Sequence, residues 1–301
     1  MSESPVTAPV CYRHPSKETY VRCTRCERPI CPECMNAASV GHQCPECVAQ
    51  GRRTQRSART AFGGSLAGQA GTATRTLIGV NVLVMIVSIL SAGSANAIAG
   101  GGLGGLLGGS TPLTDWGSVV SYTTFGSDTG IAGNGEWWRL FTAMFLHYGV
   151  IHLLLNMYAL WILGRQIEAA LGPLRFIALY LLAGFGGNVA AYLFTGPNAP
   201  TAGASTAVFG LMAAMLVLLK RLNLSIAPIL PVIVINVIFT LTVSNISVPG
   251  HFGGLLTGFL GAVALAYAPA QRRNLVQGIG LAVIFLVLVV AAVARTLSLT
   301  S

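Results

Sequence analysis

The sequence predicts an all-α polytopic membrane protein with a small cysteine-rich domain at its N-terminus. Three observations lead there. The chain is 53% hydrophobic and 9% charged, with a mean hydropathy of +0.68, whereas a soluble domain carries about a quarter charged residues. From Leu77 onward apolar segments recur, each close to the length that crosses ~30 Å of hydrocarbon. All 7 cysteines fall within residues 11–47.

Seven apolar segments are expected to form helices: 77–92, 141–163, 175–194, 204–219, 226–244, 250–268 and 275–294. The first is short, and the fourth is shorter than a full crossing. The net charge is +9, yet ten of the 18 Lys and Arg precede residue 76. Arg165 with Arg175, Lys220 with Arg221, and Arg272 with Arg273 flank alternate turns. That asymmetry is a topology signal rather than a nucleic-acid surface. It predicts an integral plasma-membrane protein with its N-terminus in the cytoplasm and its C-terminus outside. Residues 1–60 are polar and rich in Arg and Cys, unlike a removable signal peptide. The stretch "AGGGLGGLLGGS" (99–110) is expected to be a mobile outer loop.

The head reads CYRH (11–14), CTRC (23–26), CPEC (31–34) and CPEC (44–47). These four knuckles supply Cys11, His14, Cys23, Cys26, Cys31, Cys34, Cys44 and Cys47. Eight ligands fill two closed tetrahedral zinc sites with none left over. A disulfide framework fits poorly, because seven is odd and the cytoplasm is reducing. Closed sites are structural, and a core of this size needs metal to fold. Interleaved pairing, first knuckle with third and second with fourth, resembles B-box and RING-type fingers. His42 is expected to be a bystander. A cytoplasmic protein partner is expected for this domain.

After the head the remaining histidines are His147, His152 and His251, all within the predicted apolar spans. Ionisable groups at membrane depth are costly and are functional candidates. Ser205 lies 15 residues from Lys220, roughly 22 Å along a helix, which leaves it about 8 Å below the outer boundary. His251 lies 17 residues from Ala268, roughly 25 Å. His152 and Asn156 share one helix face and start from the same side. Four polar groups on three helices thus converge at one depth. Above them runs "TGPNAPTAG" (195–203), too polar for lipid and tolerable only beside protein or a water-filled cavity. In this arrangement Ser205 attacks a carbonyl and His251 takes its proton. Phe209 sits one turn along, placed to pack on the imidazole. Asn156 and His152 carry donors for an oxyanion, with the Ser205 backbone N–H beside them. The acid of these spans, Glu168, lies at the far end of the second, so the site is a dyad. His251, Gly254 and Gly258 form one small face, and Gly203, Ala207, Gly210 and Ala214 another, which suits close helix packing.

These motifs resemble the rhomboid family of intramembrane serine proteases over roughly residues 77–270. "GAS" at 203–205 is similar to its serine motif, "HYGVIHLLLN" at 147–156 to its H-x4-H-x3-N pattern, and "HFGGLLTG" at 251–258 to its H-x2-G-x3-G pattern. "EWWR" at 136–139 resembles its first-loop Trp-Arg element, and Gly164 with Glu168 its G-x3-E. The resemblance implies a six-helix core, here with a seventh helix, cleaving transmembrane proteins near their outer ends in the bilayer. It implies Ser205 as nucleophile, His251 as base, Asn156 and His152 as oxyanion donors, and no catalytic cofactor. Two positions depart from the pattern. Thr206 stands where the family has glycine, and Gly250 where alanine is more usual. Thr206 is expected to crowd the substrate path, which keeps a non-cleaving, client-binding pseudoprotease as an alternative. A membrane-anchored zinc-finger adaptor is another. The expected organisation is a zinc domain at 1–50, a basic flexible linker at 51–76, the protease core at 77–270, and a seventh helix with tail at 271–301.

Overall fold

The computed structural model describes residues 8–54, 58–93, 109–122, 129–243 and 246–301. Most of the glycine-rich stretch expected to be a mobile loop, 99–108, lies outside the described residues. The chain forms two compact units, Met1–Ser57 and Ala58–Ser301.

The first unit has almost no apolar interior. Its buried cluster is Ile30 with Cys11, Cys23, Cys31, Cys34, Cys44 and Cys47. Two short antiparallel strands, β1 (Asn36–Ala37) and β2 (His42–Gln43), precede helix α1 (Pro45–Thr54). Pro45 suits the first helical position, where an N–H would lack a partner anyway. The Arg28 guanidinium lies 4.3 Å from the Tyr12 ring and 2.6 Å from Glu46 Oε2.

The second unit is helical. Helix α2 (Thr72–Ala92) leads to three short helices, α3 (Pro112–Gly117), α4 (Ile131–Asn134) and α5 (Arg139–Thr142). Then come α6 (Val150–Leu171), α7 (Pro173–Phe194), α8 (Ser205–Arg221), α9 (Leu230–Thr242), α10 (Val248–Ala266) and α11 (Arg273–Thr300). Five segments are long and apolar enough to cross a membrane by length and composition: α2, α6, α7, α10 and Ala270–Thr300. Helix α8 has 17 residues and α9 has 13. The protein is an integral membrane protein with a mostly helical fold.

Three sequence expectations shift here. The first helix begins at Thr72 rather than 77, because Glu168 caps it from α6. The Glu168 carboxylate, 0% exposed, accepts from the N–H groups of Ala73 and Thr74 at 2.9 and 2.8 Å and from Thr74 Oγ1 at 2.7 Å. An anion against a helix N-terminus is favourable. The second helix begins at Val150 rather than 141, after Gly149 with φ +86°. His147 therefore precedes the helix instead of lying within a span. Finally, residues 58–71 are held against the helices. The Phe62 carbonyl accepts from Gln277 Nε2 and the Ala61 carbonyl from Arg273, both at 3.1 Å. A side chain at Gly64 would collide with the Leu171 carbonyl, and one at Gly68 with that of Glu168.

Helix α7 is the most buried of the long helices and α8 packs beside it. Helix α10 lies against both, at backbone-to-backbone range. A Cβ at Gly254 would strike the Thr206 carbonyl, and one at Gly258 the Gly210 backbone. Small faces let two helices approach this closely. By contrast, Thr240 is the buried residue of α9, whose other described side chains are partly or fully exposed. The short helices brace the connections between the long ones. Arg139 pairs with Glu136 at 2.5 Å and donates to the carbonyls of Asp115 and Ser118.

Candidate active site

The close contact of α8 and α10 fixes the site. Ser205 is the first residue of α8, and His251 lies in the first turn of α10. Ser205 Oγ and His251 Nε2 are 2.7 Å apart. The imidazole stacks on Phe209, with centroids 4.2 Å apart and planes 18° from parallel. Its other nitrogen, Nδ1, lies 2.8 Å from Thr240 Oγ1 on α9. Sequence reasoning missed Thr240; its signal was that Asn236 and Thr240 stand one turn apart on one face of a mostly apolar helix.

The backbone before Ser205 is held in a form that only glycine tolerates. Gly203 has φ +146°, and a Cβ there would lie 3.0 Å from His152 Nε2 and 3.2 Å from Ser205 Oγ. The missing side chain keeps open the space between these two groups. The Gly203 N–H donates to the Ala143 carbonyl at 2.9 Å, and the Ala204 N–H to His147 Nε2 at 3.4 Å. His147 thus steadies the serine loop, a role its expected place in a helix had hidden. Upstream, residues 195–201 are laced to 119–122, with Thr201 bridging Val119 and the Pro197 carbonyl accepting from Ser121 and Tyr122. The Ser205 N–H has no partner among the described residues, as expected in a helix's first turn.

His152 and Asn156 follow on α6. The His152 ring meets His147 edge-on at 5.1 Å, and its Nδ1 is buried without a partner among the described residues. Asn156 is buried one turn further in. Its Nδ2 spends one hydrogen on the His152 carbonyl at 2.9 Å and keeps a second. The structure brings Ser205, His251, Phe209 and His152 together; among the described residues Asn156 forms no hydrogen bond with Ser205.

Thr206 points elsewhere than expected. It is 3% exposed, with its side chain in the seam between α7, α8 and α10. A Cβ at Gly187 would lie 2.6 Å from Thr206 Cβ, and one at Gly250 would lie 3.4 Å from Thr206 Cγ2. The expected crowding of a substrate path is thereby corrected: the extra methyl fills helix packing. Positions 206 and 250 are neighbours in this seam, but a Cβ at Gly250 would meet Ser247 Oγ first, at 2.9 Å, and would stand at ordinary contact distance from Thr206.

In the N-terminal unit the eight predicted ligands form two groups. They are Cys11, His14, Cys31 and Cys34, and Cys23, Cys26, Cys44 and Cys47, the interleaved pairing. Within each group the ligand atoms lie within 4.8 Å of one another. Tetrahedral zinc with thiolate and imidazole ligands sets its donors about 3.5–3.8 Å apart. His14 Nδ1 is 3.9, 3.2 and 3.5 Å from the sulfurs of Cys11, Cys31 and Cys34, and Cys26 and Cys44 are 3.8 Å apart. Burial opposes ionisation of Cys11 and Cys23, but amide donors outweigh it and lower both to about 6. The donor sets are compatible with structural zinc. His42 lies in β2, outside both groups.

Residues 134–268 match the family model of the Rhomboid domain. Over 159 residues the chain is 39% identical to the rhomboid protease GluP of Bacillus subtilis; the match covers 51% of this chain and 31% of that protein. A second Bacillus subtilis protein, YdcA, whose name also places it with rhomboid proteases, is 35% identical over 164 residues. There the match covers 52% of this chain and 80% of the relative. The Arabidopsis thaliana "Inactive RHOMBOID-like protein 8" is 36% identical over 146 residues, 46% of this chain and 41% of that protein.

The packing of Thr206 gives a test. Thr206→Gly leaves a void and loosens a helix, costing about 1–3 kcal/mol, without raising activity. Adding Gly250→Ala crowds the Ser247 hydroxyl that caps α10, so the double variant melts no higher than Thr206→Gly in detergent. A double variant melting above Thr206→Gly would refute this placement.

Proposed function

The chain belongs to the rhomboid family, and from that premise we propose that it is an intramembrane serine protease acting through a Ser205–His251 dyad. The 2.7 Å contact between Ser205 Oγ and His251 Nε2 carries the reading. In the proposed reaction Ser205 Oγ bonds to the scissile carbonyl carbon while its proton moves to His251 Nε2. The oxyanion faces the His152 Nε2 edge, the free hydrogen of Asn156 Nδ2 and the Ser205 N–H. Collapse expels the amine, which takes the proton from His251 and leaves an acyl-enzyme. Water then bonds to the acyl carbon while His251 Nε2 takes its proton; the ester bond breaks, the acid leaves and Ser205 Oγ takes the proton back. Phe209 keeps the ring in the plane this transfer requires.

The substrates on this reading are transmembrane proteins cut near the outer membrane face. The Lys and Arg distribution supports an N-terminus in the cytoplasm of a plasma-membrane protein. The head then presents a zinc-braced surface to cytoplasmic proteins. Cys11, His14, Cys31 and Cys34 would hold one zinc, and Cys23, Cys26, Cys44 and Cys47 the other; the metal supplies folding energy and no catalysis. A second reading, a non-cleaving client-binding protein, draws on the relative named as inactive. It loses its main support here once Thr206 is out of the substrate path.

Two measurements test the proposal. Ser205→Ala and His251→Ala should each abolish cleavage of a reconstituted transmembrane substrate, with the double variant no worse than either. Asn156→Ala should cost at most about 10²–10³-fold, the loss of one oxyanion donor. Cleavage by Ser205→Ala, or a wild type that neither cleaves nor reacts with a fluorophosphonate, ends the protease reading. For the head, elemental analysis should find two zinc per chain, and chelation should unfold residues 8–54. A metal-free yet folded head would refute it.

A further inference from the structure

Thr240 joins two hydrogen bonds that its single hydroxyl proton cannot both donate. Its Oγ1 lies 2.8 Å from the Asn236 carbonyl one turn back and 2.8 Å from His251 Nδ1. A carbonyl only accepts, so the hydroxyl proton belongs to Asn236. The Nδ1 contact then needs a proton from the imidazole. In neutral histidine that leaves Nε2 bare, facing the Ser205 hydroxyl at 2.7 Å. The protonated nitrogen of a histidine is set by the bond its other nitrogen makes. Among the described residues no carboxylate contacts this ring; Glu168 is engaged at the N-terminus of α2. We propose that Thr240 is a positioning residue that fixes the His251 tautomer able to take the Ser205 proton.

This inference rests on the protease reading, and its test separates the two. Thr240→Val keeps the shape and removes the acceptor; Thr240→Ser keeps the hydroxyl. The valine variant should lose about 10- to 100-fold in kcat at unchanged KM, the range seen for hydrogen-bond partners that orient metal-ligating histidines. It should lose as much in the rate of fluorophosphonate labelling, and serine should restore both. Ring-15N spectra of the full-length protein should show Nδ1–H at His251 in the wild type and a tautomer mixture in the valine variant. Wild-type labelling with an equally reactive valine variant overturns Thr240 alone, and so does an Nε2–H wild type. No labelling of wild type overturns the parent reading and this one with it.

A separate observation concerns the opposite end of the bundle. Around the Gly63 turn converge Arg59, whose Nη1 donates to the Gly63 carbonyl, and Arg273 and Arg175, which line the space a Gly63 side chain would fill. Arg175 is held by the neutral side chains of Gln277 and Asn274, both at 2.7 Å, and Arg273 by the Ala61 carbonyl. Among the described residues none of the three makes an ion pair. Three fixed guanidinium groups repel unless an anion joins them, and Arg forks fit phosphate oxygens. The site lies where α7 and α11 begin, at one end of the membrane-crossing segments. We infer that it binds the phosphate of an anionic phospholipid headgroup. Full-length protein in phosphatidylcholine nanodiscs should melt several degrees higher when phosphatidylglycerol is mixed in, and the Arg59→Gln/Arg273→Gln variant should lose most of that rise. Inorganic phosphate in phosphatidylcholine should give none. An equal rise in the variant, or a full rise with phosphate alone, overturns the site. Native mass spectra of the wild type retaining no phosphatidylglycerol in preference to phosphatidylcholine also overturn it.

Discussion

Everything at the candidate site depends on how closely α8 and α10 approach. Leucine against leucine would hold these helix axes 8–10 Å apart, as is usual. Here backbone meets backbone, Gly258 on Gly210 and Gly254 on the Thr206 carbonyl. No hydrophobic effect drives helices together in lipid, so dispersion between fitted surfaces must do it. One methyl at Gly254 or Gly258 would push the helices apart along their length. The 2.7 Å contact of Ser205 with His251 is therefore a consequence of glycines one to two turns away.

The same environment explains how the polar parts are distributed. A backbone group unpaired in hydrocarbon costs several kcal/mol. The irregular segment before Ser205 is accordingly laced to 119–122, to Ala143 and to His147. Charge follows the same rule. The buried Glu168 takes three hydrogen bonds, and Arg139 takes Glu136 and two carbonyls. The N-terminal unit reaches a fold by another route. Among its described residues one aliphatic, Ile30, is buried among sulfurs, so its cohesion must come through ligands rather than apolar area.

Sequence reasoning predicted seven apolar spans, where five described segments are long and apolar enough to cross a membrane, and placed Ser205, His251, His152 and Asn156 at one depth, because length and depth are both linear in residue number. It also reached the stacking of Phe209, since position i+4 returns to the same face. It failed where rotation about a helix axis decides. Thr206 is one residue from Ser205 and so about 100° around α8; depth cannot tell whether that direction faces cavity or neighbour. The contact of Gly187 and Gly250 with Thr206 involves α7 and α10 at once, and no spacing rule on one helix reveals it. His147 was misplaced for a local reason. The apolar run continues through 141–149, but Gly149 at φ +86° breaks the helix that hydropathy extends. Thr240 was overlooked because a threonine in an apolar helix usually bonds its own backbone, which it also does here.

The neutral partner of His251 has a physical logic. A carboxylate behind the imidazole would stabilise its cation more strongly than a hydroxyl can. Within a membrane, however, an ionised acid costs about 2.5–3.5 kcal/mol even at the lenient end of measured scales. It would also need its remaining oxygen lone pairs satisfied, as Glu168 achieves only with three donors at a helix end. Helix α9 offers no such cluster of donors, since its described residues other than Thr240 are at least partly exposed. A threonine satisfies itself on the carbonyl of Asn236 and still presents a lone pair to Nδ1. The exchange gives up cation stabilisation and retains orientation. Orientation is the part a proton transfer over 2.7 Å cannot do without.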